Sequence, residues 1–171
     1  VEHADPSLDD DVAAWFDPTE PLPKVSVLGA VRVRTRGDAA AVASRKPHYT
    51  EMLTFLALHP DGVTSERVAE AFALSKPRAR TDLGIVRKWL GPNPRTGKPH
   101  LPTATDSRAA LETGIATYQA EDILVDADLF RRLRARGQAR GTSGQADLDT
   151  ALTLVTGQPF DQLRESGWSW L

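Results

Sequence analysis

The chain is 171 residues long, enough for one domain or two small ones at roughly 100 to 200 residues each. With 40% hydrophobic and 26% charged residues it has globular composition, and no apolar run approaches the roughly 20 residues of a membrane span. The absence of cysteine removes disulfides and thiolate metal sites, and the formal charge of −2 conceals a net −7 over residues 1 to 23, +8 over 24 to 100 and −3 over 101 to 171.

The N-terminus, "VEHADPSLDD", lacks the basic region, apolar core and cleavage site of a signal peptide. Because it opens on Val1 rather than Met, the chain is expected to be an excised piece. In residues 1–23 Leu8, Val12, Trp15 and Phe16 follow helical spacing, Asp9 to Asp11 favour a helix start, and Pro18, Pro21 and Pro23 stop it. This predicts an acidic linker carrying one short docking helix.

From Lys24 the period changes. Val25, Val27, Val31 and Val33 alternate with polar residues, and Gly29 and Gly37-Asp38 mark turns, predicting a small antiparallel sheet. "KPHYTEMLTFLALHPDG" returns to helical spacing. A second helix starts at Thr64 or Ser65 as N-cap, with Val68, Ala71 and Phe72 as its stripe. A third runs from about Arg78 to Leu90, with Pro77 in its first turn and Gly91-Pro92 as its stop. "HLPTA" and "GIATYQ" read as paired strands joined by "TDSRAALET". Sheet, helix, short helix, basic helix and strand pair give the order of a winged helix-turn-helix with an N-terminal antiparallel sheet, an α+β class, over residues 24–120. Beyond it, "ADLFRRLRARGQA" and "ADLDTALTLVTGQPF" each show one apolar face, Leu129, Phe130 and Leu133 in the first and Leu148, Ala151, Leu152 and Val155 in the second. They predict an antiparallel helix pair within residues 121–171, joined by a flexible "RGTSGQ".

The third helix concentrates the charge. Projection at about 100° per residue puts Ala79, Leu83, Val86 and Leu90 toward the core, with Thr81, Gly84 and Lys88 opposite. On a helix-turn-helix, Lys76, Arg78 and Thr81 lie where base edges are read, and Arg80, Arg87 and Lys88 where phosphates are met. Gly84 would admit a close backbone approach, and Asp82 lies near the expected groove. Arg95 and Lys98 precede the wing with His100, and Arg32, Arg34 and Arg36 alternate on one strand. Duplex DNA is therefore the expected partner, with affinity weakened by the overall pI of about 6.1.

The order "VSVLGAVRVR", "LTFLALHPDGVTSERVAEAF", "RTDLGIVRKWLG" and "VDADLFRRLRARGQARG…DLDTALTLVTGQPF" resembles the bacterial transcriptional activator domain family, known from actinobacterial antibiotic regulatory proteins. The resemblance covers about residues 24 to 171. It implies a winged helix of the response-regulator type followed by a tetratricopeptide-like helical activator domain, here truncated, that docks other proteins or domains of the same polypeptide. "DDDVAAWFDPTEPLPKVSVLGAV" and "RESGWSWL" are closer to a branch found in larger actinobacterial proteins with LysM domains and membrane segments. That implies a cytoplasmic location, as part of a membrane-anchored polypeptide. The recognition helices of the regulators commonly carry Asn-Thr-Leu and Ser-Arg-Leu-Arg where this chain has Arg80-Thr81-Asp82 and "GIVRKWLG", so their base-reading residues do not transfer. A second reading of the same residues is a protein-interaction module that keeps the winged-helix fold without DNA binding. Trp168 and Trp170 are expected in a hydrophobic satellite cluster.

Enzyme chemistry is not expected. "GPNPRTGKPH" fails as a phosphate loop, with five residues between its glycines, Pro99 in place of the Ser or Thr, and three prolines lacking amides. The four histidines have no metal-ligand spacing. Asp126 or Asp128 is read as a helix cap, and no nucleophile motif occurs. No cofactor, metal or small-molecule substrate is expected.

Overall fold

A computed structural model describes residues 4–164 and 166–171; His3 and Glu165 lie outside the described residues. In chain order the elements are α1 (Leu8–Phe16), β1 (Lys24–Ser26), β2 (Arg32–Arg34), α2 (Lys46–Ala57), α3 (Ser65–Phe72), α4 (Lys76–Leu90), α5 (Arg108–Thr113), β3 (Leu124–Val125), α6 (Asp126–Ala139) and α7 (Gln145–Thr153), with short 3-10 turns at Ala39–Val42 and Gly141–Gly144. The class is α+β, with about 49% helix and a small mixed sheet. The chain divides into two compact units. One joins the segment ending at Glu20 with Lys24–Arg32 and Leu124–Leu163, and the other joins Pro21–Pro23 and Val33–Ile123 with the segment beginning at Arg164. Grouping in space therefore departs from order along the chain.

In the first unit, α1 forms where Asp9, Asp10 and Asp11 place negative charge at its N-terminal turn. At its other end the Lys24 ammonium donates to the carbonyls of Trp15 (2.8 Å) and Asp17 (2.7 Å), matching the negative pole of the helix. Leu8 joins Leu129, Leu133, Ala151 and Leu154 in one buried cluster, with Val12, Trp15, Leu28 and Phe130 packed against it. Burial of each Leu contributes up to about 1.5–3 kcal/mol. Phe16 belongs to the expected stripe but is 53% exposed, because it lies one residue past Trp15 and a third of a turn round the helix.

The connection between α6 and α7 is a 3-10 turn, where a flexible linker was expected. Gly137 and Gly144 let the two backbones touch: a Cβ on Gly137 would lie 2.9 Å from the Leu148 side chain. Ala151 of α7 and Leu154 at its C-cap are buried, whereas Leu152 and Val155, expected on the buried face, are 66% and 42% exposed.

The sheet has order β2-β1-β3, and β1 runs parallel to β3 with Lys24 opposite Leu124 and Val25 opposite Val125. This corrects the purely antiparallel expectation. The physical reason is Asp126. Its carboxylate accepts the amides of Val27 (2.9 Å) and Leu28 (2.9 Å), continuing the ladder where β3 gives way to α6. It also accepts the amide of Ala127 at 2.8 Å, so it links strand to helix rather than capping α6 from outside.

In the second unit, Tyr49, Met52, Leu53, Phe55 and Leu56 of α2 are buried, as are Val68 of α3 and Leu83, Val86, Trp89 and Leu90 of α4. The expected wing strands do not form. "HLPTA" and "GIATYQ" share one backbone bond, Thr117 N to Ala104 O at 2.8 Å, and Tyr118 makes an isolated antiparallel bridge with Val63 instead. The segment between them folds as α5. Ser107 Oγ accepts the Ala110 amide (3.1 Å) and donates to the Thr117 carbonyl (2.6 Å), so its N-cap fixes a helix where a loop was expected. Trp170 stands edge-on to Phe55 at 5.0 Å, and Trp168 stacks near Trp170. This is the satellite cluster predicted for the two tryptophans.

Candidate nucleic-acid interface

α3 and α4 are joined by three residues. The Thr64 hydroxyl caps α3 by accepting the Arg67 amide at 3.2 Å. Ala73 then takes the left-handed conformation (φ 52°) that ends α3. Ser75 caps α4 by accepting the Arg78 amide at 3.2 Å, with Pro77 in the first turn. Two caps and a three-residue connection thus set α3 and α4 as consecutive helices.

Ala79, Asp82, Leu83, Val86, Trp89 and Leu90 form the buried side of α4. Pro77, Arg80, Thr81 and Lys88 are exposed on the opposite side, with Gly84 half-buried among them. No ion-pair partner for Arg80 or Lys88 occurs among the described residues. The Thr81 hydroxyl donates to the Pro77 carbonyl at 3.0 Å, which satisfies its proton within the helix. Near the C-terminal end of α4, the Asp38 amide donates to the Lys88 carbonyl at 3.0 Å, and a Cβ on Gly37 would collide with the Lys88 and Trp89 carbonyls. Only glycine lets that loop close on α4.

Of the remaining expected contact residues, Lys76, Arg78, Arg87 and Arg95 engage their side chains within the chain. Lys76 pairs with Glu66 at 3.0 Å, both well exposed. Arg78 reaches forward one turn to Asp82 at 3.2 Å. Arg87 donates through Nε to the Leu101 carbonyl at 2.6 Å and through Nη2 to that of Pro102 at 3.3 Å. It therefore anchors the loop after α4 instead of facing outward. Arg95 pairs with Asp122 at 2.9 Å. Lys98 is exposed, and its carbonyl accepts the Asn93 amide at 2.7 Å, closing the turn. Within "GPNPRTGKPH" the amides of Asn93, Thr96 and Gly97 thus bond to the turn's own carbonyls. His100 is buried, its Nδ1 lies 2.8 Å from the Glu121 carbonyl, and burial lowers its basicity.

Asp82 corrects the projection that put it near the groove. It is fully buried, 2.9 Å from His48 Nε2, and it accepts the Tyr49 hydroxyl at 3.3 Å. Burial, followed by the charge of Asp82, pushes the Tyr49 phenol up. This His48, Tyr49 and Asp82 cluster ties α2 to α4 and was missed in the sequence. The available signal was Ala79, Val86 and Trp89, three, four and seven residues from Asp82, which enclose it within the apolar arc. No group of three or more His, Asp or Glu side chains is placed to hold a metal among the described residues.

Comparison of the chain with protein-family models, with curated proteins and with solved structures gives no match.

Proposed function

We propose that the second unit is a DNA-contacting module with a role in transcription regulation, related to the winged helix by its order of elements although the paired wing strands are replaced by α5, and that the helical first unit docks protein. The observation that carries this is the outward face of α4. It presents Arg80, Thr81, Gly84 and Lys88, two cations with no ion-pair partner among the described residues and no acid beside them on the helix. Phosphate neutralisation by such cations supplies most sequence-independent affinity. The helix-turn-helix caps and the likeness of motif order to bacterial transcriptional activator domains support the same reading. No described helix is long and apolar enough to cross a membrane; a cytoplasmic location is part of the proposal.

A second reading is favoured by one observation on another face. Leu111 and Ile115 are 75% and 60% exposed at the end of α5, and Leu111 borders a groove of about 820 Å³ lined also by Lys98, Pro99, Pro102 and Arg108. Such a surface suits a protein partner, with the winged-helix architecture kept and DNA binding lost.

Fluorescence anisotropy with a random duplex of about 30 base pairs separates the two, because counterion release makes DNA binding steeply salt-dependent. Micromolar binding at low salt that collapses at physiological salt, and weakens about ten-fold in Arg80→Ala/Lys88→Ala, is the expected result. Absence of binding at low salt defeats the DNA reading and leaves the protein-docking one.

A further inference from the structure

The outward face of α4 contains a gap. A Cβ built on Gly84 meets nothing closer than Arg87 Nη1 at 3.9 Å, so no packing within this chain requires glycine there. Gly84 has ordinary helical backbone inside a 15-residue helix, where glycine is the poorest residue other than proline. Gly37 and Gly137 differ, since a Cβ at either would strike neighbouring atoms. The gap is also flanked regularly. Arg80 and Lys88 stand one turn before and one turn after Gly84, and their Cα atoms lie about 12 Å apart at 1.5 Å rise per residue. The carboxylate of α4, Asp82, is buried on the other side.

At about 100° per residue Arg80 and Lys88 lie about 40° to either side of Gly84, so when α4 lies along the B-form major groove, about 12 Å wide, they point toward the two phosphate strands that bound it. We propose that Gly84 sets the depth at which α4 enters the DNA major groove. Arg80 and Lys88 hold the phosphates of opposite strands, and the bare Cα of Gly84 meets the base-pair edges. The inference rests on the DNA reading above. It deepens that reading by requiring a B-form duplex and base contact at Gly84. The deep, narrow major groove of A-form RNA would not admit the helix.

The test uses the full chain to enrich duplexes from a random-core DNA pool, followed by affinity and melting measurements on the parent and Gly84→Ala. The substitution adds one methyl and no charge. Replacing a helical glycine whose Cβ position is unobstructed raises the melting temperature by about 2–4 °C, while the methyl in a close-packed contact weakens binding to the enriched duplex by about ten-fold. An RNA duplex of the same sequence binds more weakly than the DNA. Opposite signs for stability and affinity are what a merely structural glycine would not give. A stabilised Gly84→Ala with unchanged affinity overturns the proposal and leaves DNA binding standing, as does binding without enrichment of any sequence, or equal binding of the RNA duplex. A parent that binds no duplex removes both.

Discussion

Two helices of this chain are rich in arginine, and they spend it in opposite ways. On α6, Arg132 donates to Asp5 (2.7 and 2.8 Å) and Asp11 (2.9 Å) and lies 3.3 Å from Asp128. Arg136 takes Asp147 (2.7 Å) and Asp9 (2.8 Å). These side chains are only 16% and 13% exposed, and hydrogen bonds to the carboxylates hold their guanidiniums firmly protonated. On α4, Arg80 and Lys88 face outward with no such partners among the described residues. The density of basic residues is therefore no guide to polyanion contact; what matters is where the acids sit. Asp5, Asp9 and Asp11 of the acidic N-terminus, which looks like a free flank in the charge count, are counter-ions of α6.

The sharpest way to break this comparison is to remove the most heavily paired cation. Arg132→Ala removes the donor that Asp5 and Asp11 share, and is expected to cost about 3 kcal/mol. Hydrogen exchange should show the loss in α1 and α6. DNA affinity should not move. If stability is unchanged, the pairing is superficial and α6 is as available as α4.

Acid does the same more gently. Hydrogen bonds from Arg132 hold the Asp5 carboxyl below its usual range, and those from Arg136 do so for Asp9 and Asp147. A depressed folded pKa contributes stability present above the unfolded value and lost as pH falls through the folded one, so α1 should loosen below about pH 4. Asp126, pushed up chiefly by burial, works in the opposite sense, but as one group against three. Amide exchange in α1 compared at pH 6 and pH 3 checks this; equal protection would remove the electrostatic account of its docking.

How much of this was legible beforehand follows from the range of each interaction. Helices α2, α3 and α4 were readable because their caps and stripes are local: Thr64, Ser75, Pro77 and Gly91 act within one turn. The parallel pairing of β1 with β3 was not, because it depends on Asp126 accepting amides about a hundred residues away. The wing strands failed for a local reason that was overlooked, the Ser107 cap ahead of "RAALET". For the candidate site, α4's inward and outward faces were legible from its period. The fates of Arg87 and Arg95 were not, since Leu101, Pro102 and Asp122 reach them only through the fold.

Arg87 sharpens the contrast inside α4 itself. Turned back onto two carbonyls, it should behave like the arginines of α6. Arg87→Ala is expected to cost about 1.5 kcal/mol, the range for hydrogen bonds to a charged group. The salt slope of DNA binding should stay as in the parent. In Arg80→Ala/Lys88→Ala stability should hold and the slope fall by about 1.8, roughly 0.9 for each phosphate left without its cation. Matching slopes in the two variants would mean that Arg87 leaves its carbonyls on binding.

The smallest effect is expected where pairing and exposure coincide. Lys76 and Glu66 lie 3.0 Å apart, but both side chains are more than half exposed, so water and salt already screen them. Glu66→Ala should leave stability nearly unchanged, as an exposed and solvent-screened pair does. It should nevertheless release the Lys76 ammonium at the N-terminal end of α4, where a duplex would meet it. Binding at low salt should therefore tighten slightly, by about two-fold, since one more cation becomes free and one repelling carboxylate is gone. If Glu66→Ala weakens binding, Lys76 needs its partner to be held in place, and the contrast between paired and free cations then fails at the entrance of α4.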